Sequence, residues 1–329
     1  MMKDKNIALI GGAGFVGTRV ANRLSQAGSK FTIFDIDLSS VGTCFLDVED
    51  ASSLEKLEGY DVIVNLAAVH RDDVKPISRY DDVNVLGAKK ICAAARKHNI
   101  STIVFTSSVA VYGFAPDHTD EKGVINYFND YGRTKYLAEQ HFMSWHAEDP
   151  SNRTLVIIRP TVIFGEANRG NVFNLLKQIS TKRFVMIGPG KNIKSMAYVE
   201  NIAAFIQYSI DFDRKAHIFN YIDKPDFNMN DLVSLVRRFL HNKSGVGMRI
   251  PVFLGYFVGV IADIINLVFR KTLPVSSIRV KKFISSSLFD SSVETVGFSP
   301  PVTLKDGLER TLRYEFIEDN EAKKTFLSE

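Results

Sequence analysis

The chain has 329 residues, of which 45% are apolar and 24% charged, with a formal net charge of +4. That is enough chain for a substantial core in one large domain or two joined ones, and too little charge to argue for nucleic acid as a partner. Two cysteines, Cys44 and Cys92, exclude a disulfide framework and lack metal-ligand spacing, so a reducing, cytoplasmic setting and no metal site are expected.

The N-terminus enters a strand-like run at once and shows no cleavable signal. A buried strand is expected over 6–12, a helix over 15–28 and a strand over 29–37. A short helix over 51–59, a strand over 60–68, a helix over 82–99 and a strand over 100–108 follow. A helix over 131–148 and a strand over 153–161 complete the alternation. The strands are continuously apolar, as strands covered on both faces are. This βαβαβ order predicts an α/β fold, a doubly wound parallel sheet of the Rossmann type. Past about residue 165 the rhythm breaks into shorter elements. We therefore expect a dinucleotide-binding domain with the catalytic residues over 1–165, and a smaller α/β substrate-binding region over 166–329, partly interwoven with it.

The first strand runs into "GGAGFVG", with glycines at Gly11, Gly14 and Gly17. Gly11 allows a tight turn, Gly14 lets backbone N–H groups approach a pyrophosphate, and Gly17 lets the helix pack close to the sheet. Asp35 follows Gly17 by 18 residues at the end of the second strand. A carboxylate there accepts from adenosine ribose hydroxyls and disfavours a 2′-phosphate, so NAD is expected rather than NADP. A strand-end turn former is the ordinary alternative for the same residue.

"TSSVAVYG" closes the fourth strand with Ser107, Ser108 and Tyr112, and "YGRTK" opens the next helix. Tyr131 and Lys135 are four residues apart, so they rise from one helical face. Oxidising a sugar hydroxyl needs a base for the O–H proton, and a free tyrosine, with a pKa near 10, is a poor one. The Lys135 ammonium and a positive nicotinamide ring favour the phenolate. Ser108 is placed to hold the reacting oxygen in line. Serines at strand ends are also common turn formers. His70 and Arg71 follow the third strand and should face the substrate cleft, where Arg71 would hold a diphosphate oxygen or else pair with its acidic neighbours Asp72 and Asp73. Asn171 and Tyr198 are further candidates on the substrate side.

Together, the glycine loop, Asp35, "LDV" at 46–48, "NLAA" at 65–68, Asn84, "SSVAVYG" and "YGRTK" resemble the extended short-chain dehydrogenase/reductase family, and most of all its NAD-dependent nucleotide-sugar epimerases and dehydratases. The resemblance covers essentially the whole chain. It implies that Ser108, Tyr131 and Lys135 form the catalytic triad and that Phe15 and Val16 belong to the phosphate loop. It also places Asp47 and Val48 near the adenine, and Leu66, Ala67 and Ala68 along the cofactor. Asn84 would brace the central helix, and Pro160 and Val162 would pass the nicotinamide. Dehydratases carry an acid/base pair after the serine; "SVAVYG" has none. A homodimer through the two long helices is a further implication.

A narrower resemblance, carried by 67–74, 159–179, 194–201 and 274–283, is to bacterial 4-epimerases of N-acetylglucosamine on undecaprenyl diphosphate, which serve O-antigen assembly. It implies a lipid-diphosphate-linked amino sugar as substrate, with the UDP-linked sugar as the rival. A net sugar or alcohol dehydrogenase and a non-catalytic NAD-sensing scaffold are the other readings. Two departures from the broad family stand out: Ile10 replaces a usual Thr, and Lys194-Ser195-Met196-Ala197-Tyr198-Val199 replaces an Arg-Asp-aromatic-Ile-His-Val pattern.

The stretch 250–269 is long enough to span a bilayer by count. Gly255, Gly259, Asp263, Asn266 and Arg270 fall on one helical stripe, however, and apolar residues cover the rest. Arg249, Arg270, Lys271, Arg279, Lys281 and Lys282 surround it with positive charge. A core helix and a helix lying in an anionic membrane interface both fit that pattern. The lipid-linked resemblance favours the second, a peripheral position on the inner face of the bacterial inner membrane. Asp263 argues against a true span.

Overall fold

A computed structural model describes residues 5–71, 74–269, 276–320 and 324–326, without the side chains of 266–269. The expectations for Asp72, Asp73, Arg270, Lys271 and the Asn266 side chain lie outside the described residues, as does the start of the 274–283 run.

The first half alternates as its sequence pattern requires. β1 (Asn6–Ile10), α1 (Phe15–Gln26), β2 (Lys30–Asp35), β3 (Thr43–Phe45) and β4 (Val62–Asn65) lead to the helical run 78–97. That run contains α2 (Ser78–Tyr80), a π-helical turn at Asp81–Leu86 and α3 (Gly87–Lys97). β5 (Thr102–Thr106), α4 (Asp130–Ala147) and β6 (Thr154–Pro160) follow. The helix expected over 51–59 is a single 3-10 stretch, Ser53–Leu57, because the chain turns off at Gly59 with φ +81°.

The second half contributes β7 (Val162–Phe164), α5 (Asn171–Ser180), β8 (Met186–Ile187), β9 (Ile193–Tyr198), α6 (Val199–Ser209), β10 (Ala216–Tyr221), β11 (Asp223–Asn228) and α7 (Met229–His241). β12 (Arg249–Ile250), α8 (Val252–Phe269), α9 (Ser277–Ile284) and α10 (Leu304–Phe316) complete it. The main sheet is parallel throughout, in the order β10-β6-β5-β4-β1-β2-β3. The strand order therefore reverses between β1 and β4, and ligands of open α/β sheets bind outside the carboxyl ends of strands at such a point.

Strand alternation fills both faces of this sheet. Ile7, Leu9, Val62, Val64 and Val104 point into one core, shared with α1 and α6. Ala8, Ile10, Ile63, Ile103 and Phe105 point into the other, shared with α3 and α4. A third core lies under the small β11-β9-β7 sheet and binds α5, α7 and α10.

The apolar run near the C-terminus is α8, and it is not a core helix. Its glycine stripe faces inward. A Cβ on Gly255 would stand 2.6 Å from the Ile187 side chain, and one on Gly259 would stand 2.9 Å from the Ser277 backbone. Asp263 Oδ2 accepts from Ser277 N at 3.1 Å. The apolar residues point the other way: Phe253, Phe257 and Ile264 are 74%, 62% and 56% exposed. Among the described residues no helix is long and apolar enough to cross a membrane.

Candidate active site

A cavity of about 710 Å³ opens along the carboxyl ends of β1, β2, β4 and β5. Its floor at one end is the loop between β1 and α1. Gly11 N donates to Phe34 O at 2.8 Å, which folds the loop back on β2. Gly11 holds φ +77°, and a Cβ there would stand 2.7 Å from Ala67 N. A Cβ on Gly17 would stand 2.4 Å from Gly11 O. Both positions therefore require glycine for the helix N-terminus to reach the cavity. Asp35 Oδ2 accepts from Ala13 N at 3.0 Å and Oδ1 accepts from Asp37 N at 3.0 Å, so this carboxylate is both the turn former and a wall of the cavity.

The other end is built by α4. Asn129 caps the helix by accepting from Gly132 N at 3.0 Å, and Asp130 lies in its first turn, where the helix dipole favours a negative charge. Gly132 brings the helix start against the turn after β5: a Cβ there would stand 2.4 Å from Ala110 O. That approach sets Tyr131 within hydrogen-bonding reach of Ser108. Ser108 Oγ also accepts from Ala110 N at 3.1 Å, closing the 3-10 turn Val109–Tyr112. One turn along α4, Lys135 is 2% exposed; its Nζ donates to Thr106 O at 2.7 Å and stands 6.0 Å from the Tyr131 ring centre.

Burial sets the charge states of the protein alone. It pushes the Tyr131 phenol up to about 12, with Ser108 pulling in the opposite direction. It pushes the Lys135 ammonium down to about 7, opposed by the Glu139 carboxylate. Glu139, one further turn along, is itself tied to Arg159 of β6 by contacts of 2.9 and 2.6 Å, and Arg159 also donates to Tyr112 Oη at 2.7 Å. The Lys135 charge expected to activate Tyr131 is therefore weakly held before any ligand binds.

The structure gathers nearly every sequence-derived candidate into this cavity. Gly11, Gly14, Phe15, Val16 and Gly17 line it together with Asp35, Asp47 and Val48. So do Leu66, Ala67, Ala68, Pro160 and Val162, and on the substrate side His70, Ser108, Tyr131, Lys135 and Asn171. Asn84 lies just behind the lining. Its Oδ1 accepts from Val69 N at 2.8 Å, and its Nδ2 donates to Val69 O at 2.9 Å and to Thr134 Oγ1 at 3.0 Å, tying the β4 loop to α4.

Two candidates are elsewhere. Tyr198 is 1% exposed and its hydroxyl donates to Glu166 Oε1 at 2.8 Å, inside a second cavity of about 420 Å³ walled by Arg19, Arg23 and Arg310. Along β9 it shares the inward face of Met196, which packs into the third core. Arg71 does not line the main cavity; its carbonyl accepts from the Tyr80 hydroxyl. Sequence reading missed Gly132, Ser287 and Phe289, the last two also lining the cavity. Gly132 was detectable as the glycine inside "YGRTK"; the others arrive from distant segments.

The residues fit a dinucleotide. The glycine cradle leaves room where any Cβ would collide, and Ser107 Oγ is buried in the cavity wall without a hydrogen-bond partner among the described residues. An unpaired buried hydroxyl is costly and calls for a ligand atom.

Known proteins give the same reading. The family described as "Epimerase: NAD dependent epimerase/dehydratase family" matches residues 7–221. A relative from Escherichia coli O157:H7, N-acetyl-alpha-D-glucosaminyl-diphospho-ditrans,octacis-undecaprenol 4-epimerase, is 46% identical over 99% of this chain and 100% of its own length. Among solved structures, UDP-N-acetylglucosamine 4-epimerase from Methanobrevibacter ruminantium M1, in complex with UDP-N-acetylmuramic acid, superposes with a TM-score of 0.72. It is 24% identical and covers 95% of this chain and 98% of its own. UDP-glucuronic acid 4-epimerase from Bacillus cereus, in complex with NAD, gives 0.72 at 19% identity over 94% and 98%. With a family match over most of the sheet and a full-length relative at this identity, the chain belongs to the NAD dependent epimerase/dehydratase family.

Proposed function

We propose that this chain is an NAD-dependent 4-epimerase that interconverts N-acetylglucosaminyl and N-acetylgalactosaminyl diphospho-undecaprenol, a step in O-antigen synthesis. The observation that carries this reading is the 46% identity, end to end, with a relative whose printed name states that lipid-linked 4-epimerase. The outward apolar face of α8 supports it, because a soluble UDP-sugar gives such a face no purpose. We assign it to an anionic membrane surface, with the chain peripheral on the cytoplasmic side, and we assign the two-helix face of α3 and α4 to a homodimer.

NAD held here would supply a hydride acceptor for C4 of the sugar that is regenerated within each cycle, so no net redox change would result. Gly11, Gly14 and Gly17 would hold the pyrophosphate on the α1 N-terminus, and Asp35 would accept from the adenosine ribose. Ser108 orients the 4-hydroxyl. Tyr131 Oη takes the hydroxyl proton and gives it back at the end of the cycle. Lys135 would hold the nicotinamide ribose and, when charged, favours the phenolate of Tyr131. Ser107 fills its missing hydrogen bond on a bound ligand.

The decisive assay gives purified protein either undecaprenyl-diphosphate-linked or UDP-linked N-acetylglucosamine, first without and then with added NAD, and identifies the released sugar. Galacto product from the lipid substrate is expected. Product from the UDP-sugar alone would move the function to nucleotide sugars, and no product from either would sink the epimerase reading. In the same assay Tyr131→Phe should lower kcat by roughly 10²–10⁴-fold, the usual range for a removed acid–base group. Unchanged turnover would remove Tyr131 from the chemistry.

A further inference from the structure

The sugar end of the main cavity opens between two segments. One is Gly113, at φ +64°, which packs against 126–128: an added Cβ would stand 2.1 Å from Asn126 O and 3.5 Å from Phe128 N. The other is Ser287 and Phe289, just beyond α9. Apart from Lys135, the lining at this end, which includes Asn168 and Asn171, holds no lysine or arginine among the described residues. A doubly charged diphosphate leaving here must meet its cations outside the rim.

Two lysines stand there. Phe114 directly follows Gly113, and its ring lies 4.8 Å from that of Phe128, both rings about half exposed. Lys281 Nζ sits 5.2 Å above Phe114 and Lys282 Nζ sits 5.1 Å above Phe128. Neither ammonium has a carboxylate partner among the described residues. Lys194 and Lys224, also nearby, are already committed: Lys194 Nζ donates to Lys282 O at 2.8 Å and Ser285 O at 2.6 Å, fixing the end of α9, and Lys224 pairs with Asp226 and donates to Phe289 O at 2.9 Å. Beside α9 lies α8, which packs on it through Gly259 and exposes its apolar face on the other side. Cations over an aromatic pair at a cavity mouth, with an apolar face on the neighbouring helix, complement a molecule that is sugar, then diphosphate, then hydrocarbon.

We propose that Lys281 and Lys282 hold the diphosphate of the substrate where it leaves the cavity, and that Phe114 and Phe128 carry its first isoprene units. This rests on the lipid-linked reading above. The rings also pre-place the ammonium groups, which lowers the ordering cost of binding.

The test uses the full chain with NAD and soluble N-acetylglucosaminyl diphosphates bearing either a geranyl or a methyl group, so that no membrane is present. For Lys281→Gln/Lys282→Gln, KM should rise roughly tenfold on both substrates with kcat unchanged, the range expected for two partly exposed charge contacts. For Phe114→Ala/Phe128→Ala, KM should rise on the geranyl substrate and not on the methyl one. An unchanged KM in the lysine variant overturns the subsite. In a parallel assay on vesicle-borne substrate, loss there with none on the soluble diphosphates also overturns it, because the lysines then touch headgroups alone. Failure of the wild type on both diphosphates, while it converts the UDP-sugar, would take down the lipid-linked reading first and this subsite with it.

Discussion

Helices α1 and α8 both carry glycines where a side chain would collide, yet they turn their apolar residues in opposite directions. In α1, Gly17 lets the helix start touch the phosphate loop while Val20, Ala21 and Leu24 sink into the core. In α8, Gly255, Gly259 and Asp263 face the protein while Phe253, Phe257 and Ile264 face out. Hydrophobicity alone therefore does not mark a core: the inward face is the one whose residues fit the neighbours, and on α8 those are the small ones. Among the described residues the apolar side of α8 is left exposed.

The largest expected effect separates the two helices directly. Leu24→Ala removes a fully buried side chain and should cost about 2–5 kcal/mol of stability, read as a shift in urea midpoint. Phe257→Ala removes a larger side chain and should change stability by less than about 0.5 kcal/mol, as exposed positions do. The same substitution should weaken binding to vesicles of phosphatidylethanolamine and phosphatidylglycerol. Comparable stability losses from the two would mean that α8 packs as α1 does.

The sequence-derived picture held where a periodicity decided it. The alternation of β1, β4 and β5 and the four-residue spacing of Tyr131 and Lys135 each have one structural solution, so the sheet and the pairing on α4 could be read from letters alone. It failed where a choice of face decided. Tyr198 ends a strand beside the site, but whether it points to the cavity or to the third core depends on which residues β9 packs against. α8 shows the same ambiguity at helical period: the glycine stripe was visible, and which side of it met the protein was not. Ser287 and Phe289 enter the cavity from more than 150 residues beyond Tyr131, a contact no local pattern encodes.

A second, smaller effect concerns the burial that makes the active-site half what it is. Lys135 is held down to about 7 in the cofactor-free fold, against about 10.4 in an unfolded chain. Between those values the unfolded chain binds a proton that the fold does not, so stability should rise with pH across that window and lose this contribution below about 7. The slope for one proton is about 1.4 kcal/mol per pH unit. Lys135→Met should therefore flatten the wild-type rise in thermal midpoint between pH 7.5 and 9.5. Parallel profiles for the two proteins would show that Lys135 stays charged in the empty site. No counterpart is expected for α8, whose outward residues do not titrate.

The smallest effect tests the link between the two regions. Asp263 is the single acidic residue of α8, and it spends its carboxylate on Ser277 N, at the start of the helix that carries Lys281 and Lys282. A negative charge at a helix N-terminus contributes about 0.3–1 kcal/mol, and Asp263→Asn keeps the shape while removing the charge. Global stability should barely move, yet amide exchange in 277–284 should quicken, because so short a helix depends on its neighbours for order. If exchange is unaltered, α9 is fixed without Asp263, by Lys194, the Gly259 contact, the Ser276 cap and Asn192. If it quickens and vesicle binding by α8 is preserved, the apolar face and the cationic helix are separable devices, one meeting the surface and the other meeting the substrate.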